Sequence, residues 1–463
     1  MSGTRKSLGN FFTLLVMFPL TIAVSILVAR ILGPADRGIY AFILLMGESM
    51  LPILFLGFGV GVIYLISSEK YDSRQVVTSS LLIGLLKGAL ISVILWVLWK
   101  YQMLGQTAKE IPPSVMLPIL LTMPLSGVFS IAKQVFKGNS QFGLLNLITV
   151  VYAIGNVVFL VIFVVVVQWG IQGAVIAIIT QKVVTIVAVM WVMIRQLRPS
   201  LRIDMGFIRE SYSYGIKAWV GNMATLANER FDQLILSFFA SPTLLGIYAV
   251  AFSIVRFCGY FPQAVTPVMF NIIARTDDPE KSAQLTAQVH RAMLIFVGGM
   301  TLVLAATGYW LVPWLYGHEY DTVYIPLLIL LPGLFAYQAS RRVTSKFLGA
   351  SGHPGKQSII EGVGAIAGMI LYLILIPPFD IVGAGIGSTV AYLVSTVLAL
   401  YFFYQIVPRK SVNMFRVGWR DLIWVVLKLE NSLPIVRKIT GRFTRKYRKK
   451  KDKQSTENPQ ENA

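Results

Sequence analysis

Apolar runs of around twenty residues recur along this chain from end to end, and no other feature restricts its fold as much. At 1.5 Å per residue, each run is long enough as a helix to cross a hydrocarbon layer about 30 Å thick. Backbone amides must be paired inside hydrocarbon, so a span is either a helix or a strand of a closed barrel, and continuous apolar runs select the helix. Composition agrees: 56% of the residues are hydrophobic and 13% charged, with a mean hydropathy of +0.69. An ordinary soluble domain is about a quarter charged. The chain is therefore expected to be an all-α polytopic membrane protein.

Twelve transmembrane helices are predicted, over residues 11–32, 39–67, 77–99, 115–136, 143–168, 171–194, 212–239, 245–272, 288–316, 322–346, 357–377 and 382–406. The first follows Arg5 and Lys6, exceeds a signal-peptide apolar region in length and lacks a cleavage site, so it reads as a span. Basic residues orient the bundle, because cytoplasmic loops accumulate Lys and Arg. With the N-terminus inside, the inner loops hold Lys70 and Arg74; Lys133 and Lys137; Arg195, Arg198, Arg202 and Arg209; Arg275, Lys281 and Arg291; and Arg341, Arg342, Lys346 and Lys356. The outer loops hold only Arg37, Lys100 and Lys109. Both termini are thus expected on the cytoplasmic side of the inner cell membrane. This bias also explains the net charge of +20, so no nucleic-acid partner is expected.

Beyond the spans, residues 411–436 read as an interfacial amphipathic segment, since their apolar run is too short to cross. Residues 437–463 form a basic, disordered cytoplasmic tail with ten Lys and Arg between Arg437 and Lys453. Such a tail is suited to anionic lipids, each basic residue contributing about 1 kcal/mol near the surface. Docking to a polysaccharide polymerase or export machinery is the alternative role. Cys258 is the sole cysteine, which excludes an intrachain disulfide or a cysteine metal cluster. The histidines His290, His318 and His353 are scattered and read as polar loop residues. No cofactor or metal is expected.

Three turn signals recur roughly 210 residues apart. "LGPADRGIYAF" (32–42) returns as "ASPTLLGIYAV" (240–250), "VFKGNSQFG" (135–143) as "KFLGASGHPG" (346–355), and "WGIQGAVIA" (169–177) as "FDIVGAGIG" (379–387). The chain thus divides into six-helix lobes, 1–204 and 205–410. Six is even, so both lobes enter the membrane in one orientation: a parallel repeat about an axis along the membrane normal. Transporters of this plan place a central cavity at the repeat interface.

A charged side chain at a span centre costs roughly 2.5–3.5 kcal/mol and needs a partner or a wet cavity. Such charges are plentiful. Lys87, Lys182, Lys217, Arg230 and Arg256 are candidates for a cationic site suited to phosphate or pyrophosphate. Glu48, Glu229 and Asp232 are candidates to bind H⁺ or Na⁺ and couple transport to an ion gradient. Glu48 and Arg256 stand at the same step beyond the paired glycines Gly38 and Gly246, so an ion pair between them is expected across the seam. On the seventh span, Asn222, Thr225, Glu229 and Asp232 fall within about an 80° arc, a cavity-lining face.

"ARILGPADRGIYAF", "NERFDQLILSFFASPTLLGIYAVAFSIV" and "FLGASGHPGKQSI" together resemble the polysaccharide-transport flippases of the multidrug/oligosaccharidyl-lipid/polysaccharide exporter superfamily. The resemblance covers about residues 5 to 410. It implies two six-helix lobes in a V around a basic cavity. It also implies translocation of undecaprenyl-pyrophosphate-linked oligosaccharide from the inner to the outer leaflet for cell-surface polysaccharide. The lipid-linked oligosaccharide is then the substrate, and the protein is a transporter rather than an enzyme. One alternative is a drug or metabolite antiporter of the same superfamily, against which the excess of basic seam residues argues. A membrane polysaccharide polymerase or ligase needs a sizeable outer loop, and the longest here spans about residues 100 to 114.

Overall fold

The computed structural model describes residues 2–276, 278–407, 412–418 and 421, with the side chains of residues 2–12, 14 and 15 excepted. These residues form helices and connecting turns without a strand. The first lobe holds α1 (2–32), α2 (34–55 continued by Phe58–Ser67), α3 (Ser73–Lys100), α4 (Pro113–Gly138), α5 (Phe142–Val166) and α6 (Gly170–Leu197). The second holds α7 (Met205–Phe239), α8 (Pro242–Phe257 continued by Tyr260–Ile273), α9 (Pro279–Tyr316), α10 (His318–Ala350), α11 (354–379) and α12 (381–406).

Local chemistry explains the corners. Gly33 adopts φ 74° and ψ 174°, outside helical space, and Pro34 cannot donate to the preceding turn, so α1 ends and α2 begins without a loop. Asp380, after Pro377 and Pro378, makes the equivalent corner between α11 and α12. α2 breaks at Leu56 and Gly57, both with positive φ, and α8 bends by 46° at its own break. α7 is polar for a membrane-spanning helix, with several charged residues, yet it is continuous over 35 residues.

Two ends of the bundle can be distinguished. The basic face gathers the α2–α3, α6–α7 and α8–α9 connections; the hairpin face opposite holds the α1–α2 and α7–α8 corners. The hairpin face is closed. A methyl group on Gly38 would fall 1.7 Å from the carbonyl oxygen of Pro242, and one on Gly246 would fall 2.0 Å from that of Pro34. The recurrent Gly-Ile-Tyr-Ala turns therefore meet each other across the lobes, and only glycine permits that approach. Each corner is also covered by a loop of the opposite lobe. Thr107 Oγ1 donates to the Ala240 carbonyl at 2.8 Å, and Tyr320 Oη to that of Ala29 at 3.1 Å.

Between hairpin face and basic face, α2 and α7 pack tightly. Trp219 Nε1 donates to the Pro52 carbonyl at 3.0 Å, and Gly57 and Gly61 abut Gly215 and Ser211 backbone to backbone. Tyr64 stacks on Tyr214 with ring centroids 3.9 Å apart.

One expectation fails here. His290 is not a loop residue: it is fully buried in α9, bonded to the Met414 carbonyl (2.9 Å) and Ser340 Oγ (2.8 Å). The segment assigned to the interface at 411–436 falls largely outside the described residues. Its described part docks on α9, where Arg291 bonds Asn413 O and pairs with Asp421 at 2.7 Å. The tail, 437–463, lies outside the described residues.

Candidate functional site: two charged cavities joined by an ion pair

Each lobe carries a cavity with charged side chains in its wall, and one ion pair joins the two. The first-lobe cavity, about 410 Å³, is bounded by α2, α4, α5 and α6. Glu48, Tyr152, Lys133 and Lys182 supply its charge and hydroxyl, with Ser126, Ser130 and Thr149 between them. The smaller second-lobe cavity, about 160 Å³, is lined by Glu229, Arg230, Arg256, Gln263, Gln338 and Arg342 among others. Arg230 on α7 forms a salt bridge with Glu48 on α2. One member lines each cavity, so the pair stands at the join between lobes.

The expected Glu48–Arg256 pair is therefore corrected: Glu48 is bound by Arg230, and Arg256 belongs to the second-lobe cavity beside Glu229. Pseudo-symmetry supplies the reason. Mates that lie on the axis meet; mates that lie off it occupy equivalent places in separate lobes. Gly38 and Gly246 are of the first kind, Glu48 and Arg256 of the second.

The expected stripe on α7 also divides. Asn222, Thr225 and Glu229 are exposed, while Asp232 is 1% exposed and turned into the second lobe. Thr225 donates back to the Gly221 carbonyl. Neither Asn222 nor Thr225 lines the two cavities. Asp232 sits in a cage of donors. Tyr248 Oη on α8 donates to its Oδ2 at 2.8 Å, the Gln233 amide to its Oδ1 at 2.8 Å, and Ser388 Oγ on α12 approaches at 3.5 Å. Tyr372 on α11 reaches the same serine at 3.1 Å. None of the described ion pairs includes Asp232. A carboxylate with hydroxyl neighbours and no salt-bridge partner is chemically suited to a proton or a small cation.

Lys182 lies in the first-lobe cavity, as its charge in a span suggests. Lys87 on α3 instead packs over the Tyr212 ring at 5.7 Å, and Lys217 is exposed on α7; neither lines a cavity described here.

Two cavity residues, Lys133 and Arg342, and a neighbour, Arg341, escape the sequence reading. Lys133, Arg341 and Arg342 count there as loop charges, but all lie within helices. For Lys133 a signal existed: Ser126, Ser130 and Lys133 recur at helical spacing on one face of α4, and all three line the cavity. For the arginines the cause is a π-helical turn, Ala336–Arg341, in α10. Its i to i+5 bonding lays residues five apart over one another. Arg341 and Arg342 accordingly both cover the Tyr337 ring, at 4.5 and 5.5 Å. Arg341 is 1% exposed and salt-bridged to Glu361 on α11, whose backbone and side chain also accept from Asn228. No periodic pattern announces such a turn.

Two parallel six-helix lobes, closed at one end and carrying facing charged cavities, define a twelve-helix membrane transporter fold. The chain belongs to the family described as polysaccharide biosynthesis protein, whose sequence model matches residues 27–325. Curated relatives include a probable flippase, AglR, of Haloferax volcanii, 26% identical over 195 residues, covering 41% of this chain and 40% of that protein. A probable low-salt glycan biosynthesis flippase, Agl15, of the same organism is 22% identical over 215 residues, 46% of this chain and 45% of its own. The chain thus spans less than half the length of these relatives. Among solved structures it resembles the lipid II flippase MurJ in an inward closed conformation, with TM-score 0.67, 14% identity, and coverage of 93% and 91% of the two chains. It also resembles an inward-facing multidrug resistance MATE family transporter of the MOP superfamily, with TM-score 0.66, 15% identity, and coverage of 84% and 94%. At these identities the likeness is one of fold.

Proposed function

We propose that this protein is a flippase that moves a lipid-linked oligosaccharide, carried on undecaprenyl pyrophosphate, from the inner to the outer leaflet for surface polysaccharide synthesis. The observation that carries this reading is the pair of basic cavities joined at Glu48–Arg230 beneath a closed hairpin face. A sugar pyrophosphate cannot shed its hydration into hydrocarbon. Lys133 and Lys182 on one side, and Arg256 and Arg342 on the other, offer it charge-assisted bonds in a wet path while the polyprenyl tail stays in lipid. The basic face is assigned to the cytoplasm, as the loop charges indicate, so the closed hairpin face belongs to the inward-facing half of an alternating-access cycle.

Asp232 is assigned as the coupling-ion site. Its cage joins α7, α8, α11 and α12, so binding or releasing H⁺ or Na⁺ changes the packing of four helices at once. Glu48 is already neutralised by Arg230, and Glu229 faces the arginines of its cavity. The reading is tested by depleting the protein in its host and locating the lipid-linked oligosaccharide. Complete units held on the inner leaflet support a flippase; incomplete or unpolymerised units on the outer leaflet contradict it and favour an enzyme. In vesicles, Asp232→Asn is expected to remove the response to an imposed H⁺ or Na⁺ gradient.

A further inference from the structure

Arg37 is a cation with no salt-bridge partner inside the closed hairpin face. It occupies the first turn of α2, one residue before Gly38, and is 7% exposed. Its Nε has no hydrogen-bond partner, and none of the described ion pairs includes it. Its guanidinium lies 5.7 Å from the ring of Tyr40, with Tyr316 and Tyr320 of the opposite lobe as further neighbours. Those two hydroxyls are engaged elsewhere: Tyr320 with Ala29 O, Tyr316 with Ser25 at 3.4 Å. Asp36 stands in the same turn, and the Glu319 Oε2 lies 3.2 Å from where a Gly33 side chain would begin; neither is ion-paired with Arg37.

Architecture does not demand this cation. The pseudo-symmetric position in the second lobe, just before Gly246, is Leu245, fully buried. Arg37 also sits where a helix is electropositive. Gly33 departs from helical geometry, so α2 begins here with the positive end of its dipole, and a positive charge beside it is unfavourable by itself. A helix N-terminus together with an unneutralised guanidinium forms a ready anion site.

We propose that Arg37 and the N-terminus of α2 form a release-side site for a phosphate or pyrophosphate group, unmasked when the hairpin face opens. Parting Gly38 from Pro242 separates α2 from the opposite lobe and lifts the tyrosine cover. The headgroup would then pass from the lysines and arginines of the two cavities to a cation that the closed state keeps covered. The proposal rests on the flippase reading for its direction, though not for the chemistry of the site.

The test places spin labels at Ala35 and Thr243, exposed positions flanking the two corners, in the full chain reconstituted in phosphatidylcholine vesicles. Inorganic pyrophosphate is titrated while the distance between labels is followed by double electron–electron resonance. Pyrophosphate is expected to populate a longer distance. Arg37→Gln should move the midpoint up by about tenfold or more, and Arg37→Lys by less. Lys109→Gln, at an exposed lysine of the α3–α4 connection outside the site, should leave that midpoint in place. No lengthening with pyrophosphate, or an equal midpoint in Arg37→Gln, overturns the proposal. Arg37→Leu separates ligation from gating: a shifted ligand-free distance with an unchanged pyrophosphate midpoint makes Arg37 a gate element only, and the proposal fails. Vesicles containing phosphatidylglycerol distinguish the source of the anion, since a lipid headgroup ligand lengthens the distance without pyrophosphate, in an Arg37-dependent way. Retention of this response in a protein that flips no lipid-linked glycan would sink the flippase reading and leave the site standing.

Discussion

The α2–α7 seam and the hairpin face are both closed by glycine, yet they treat charge differently. Along α2–α7 the helices are fastened from Glu48–Arg230 through Trp219–Pro52 and the Gly57–Gly215 contact to the Tyr64–Tyr214 stack at the basic face. At the hairpin face the Gly38–Pro242 and Gly246–Pro34 contacts lie beside Arg37, a buried cation that none of the described ion pairs includes. A buried charge without a partner weakens the packing around it, whereas the seam pairs its charges. The hairpin face is therefore the region expected to part first.

The largest effect should come from tying the hairpin face. A bifunctional maleimide between Ala35→Cys and Thr243→Cys is expected to abolish flipping, and the same reagent between Tyr64→Cys and Tyr214→Cys to leave most of it; equal losses would make the two regions equivalent. Next, the same face should not tolerate a methyl group at either corner. Gly38→Ala or Gly246→Ala is expected to disfavour the closed arrangement by about 1–3 kcal/mol. Greater thiol labelling of Cys at Ala35 from the outer side would report it. The smallest effect is that of the Glu48–Arg230 pair, whose carboxylate side chain is 52% exposed. A double-mutant cycle on protein stability should give a coupling of about 1 kcal/mol or less. Glu48→Gln, which frees Arg230, should nonetheless raise the affinity for pyrophosphate, and Arg230→Gln should lower it.

The lobes and their common orientation follow from periodic apolar runs and a repeated corner, which are one-dimensional signals; that the two Gly-Ile-Tyr-Ala turns meet across the lobes is a contact the repeat alone does not specify. The cavities were only half legible. Lys182 and Glu48 stand out because a charge within an apolar run is costly, whereas Lys133 and Arg342 lie near run ends and pass for loop residues. Whether two charges pair depends on distance from the pseudo-symmetry axis, which the repeat alone does not specify; hence Arg230, not Arg256, binds Glu48. Arg37 shows the converse case. Its place in a polar corner suggests a solvated loop, but the opposite lobe's tyrosines bury it.

The most direct measurement of the central claim is flipping itself. The purified protein is reconstituted in vesicles bearing fluorescent undecaprenyl-pyrophosphate-linked oligosaccharide, and its transfer between leaflets is followed with a membrane-impermeant quencher. Rapid transfer by the native protein, lost in Lys133→Gln/Lys182→Gln with the fold intact by circular dichroism, is the predicted result. Transfer at the rate of protein-free vesicles, or unaltered transfer in the double variant, would contradict it.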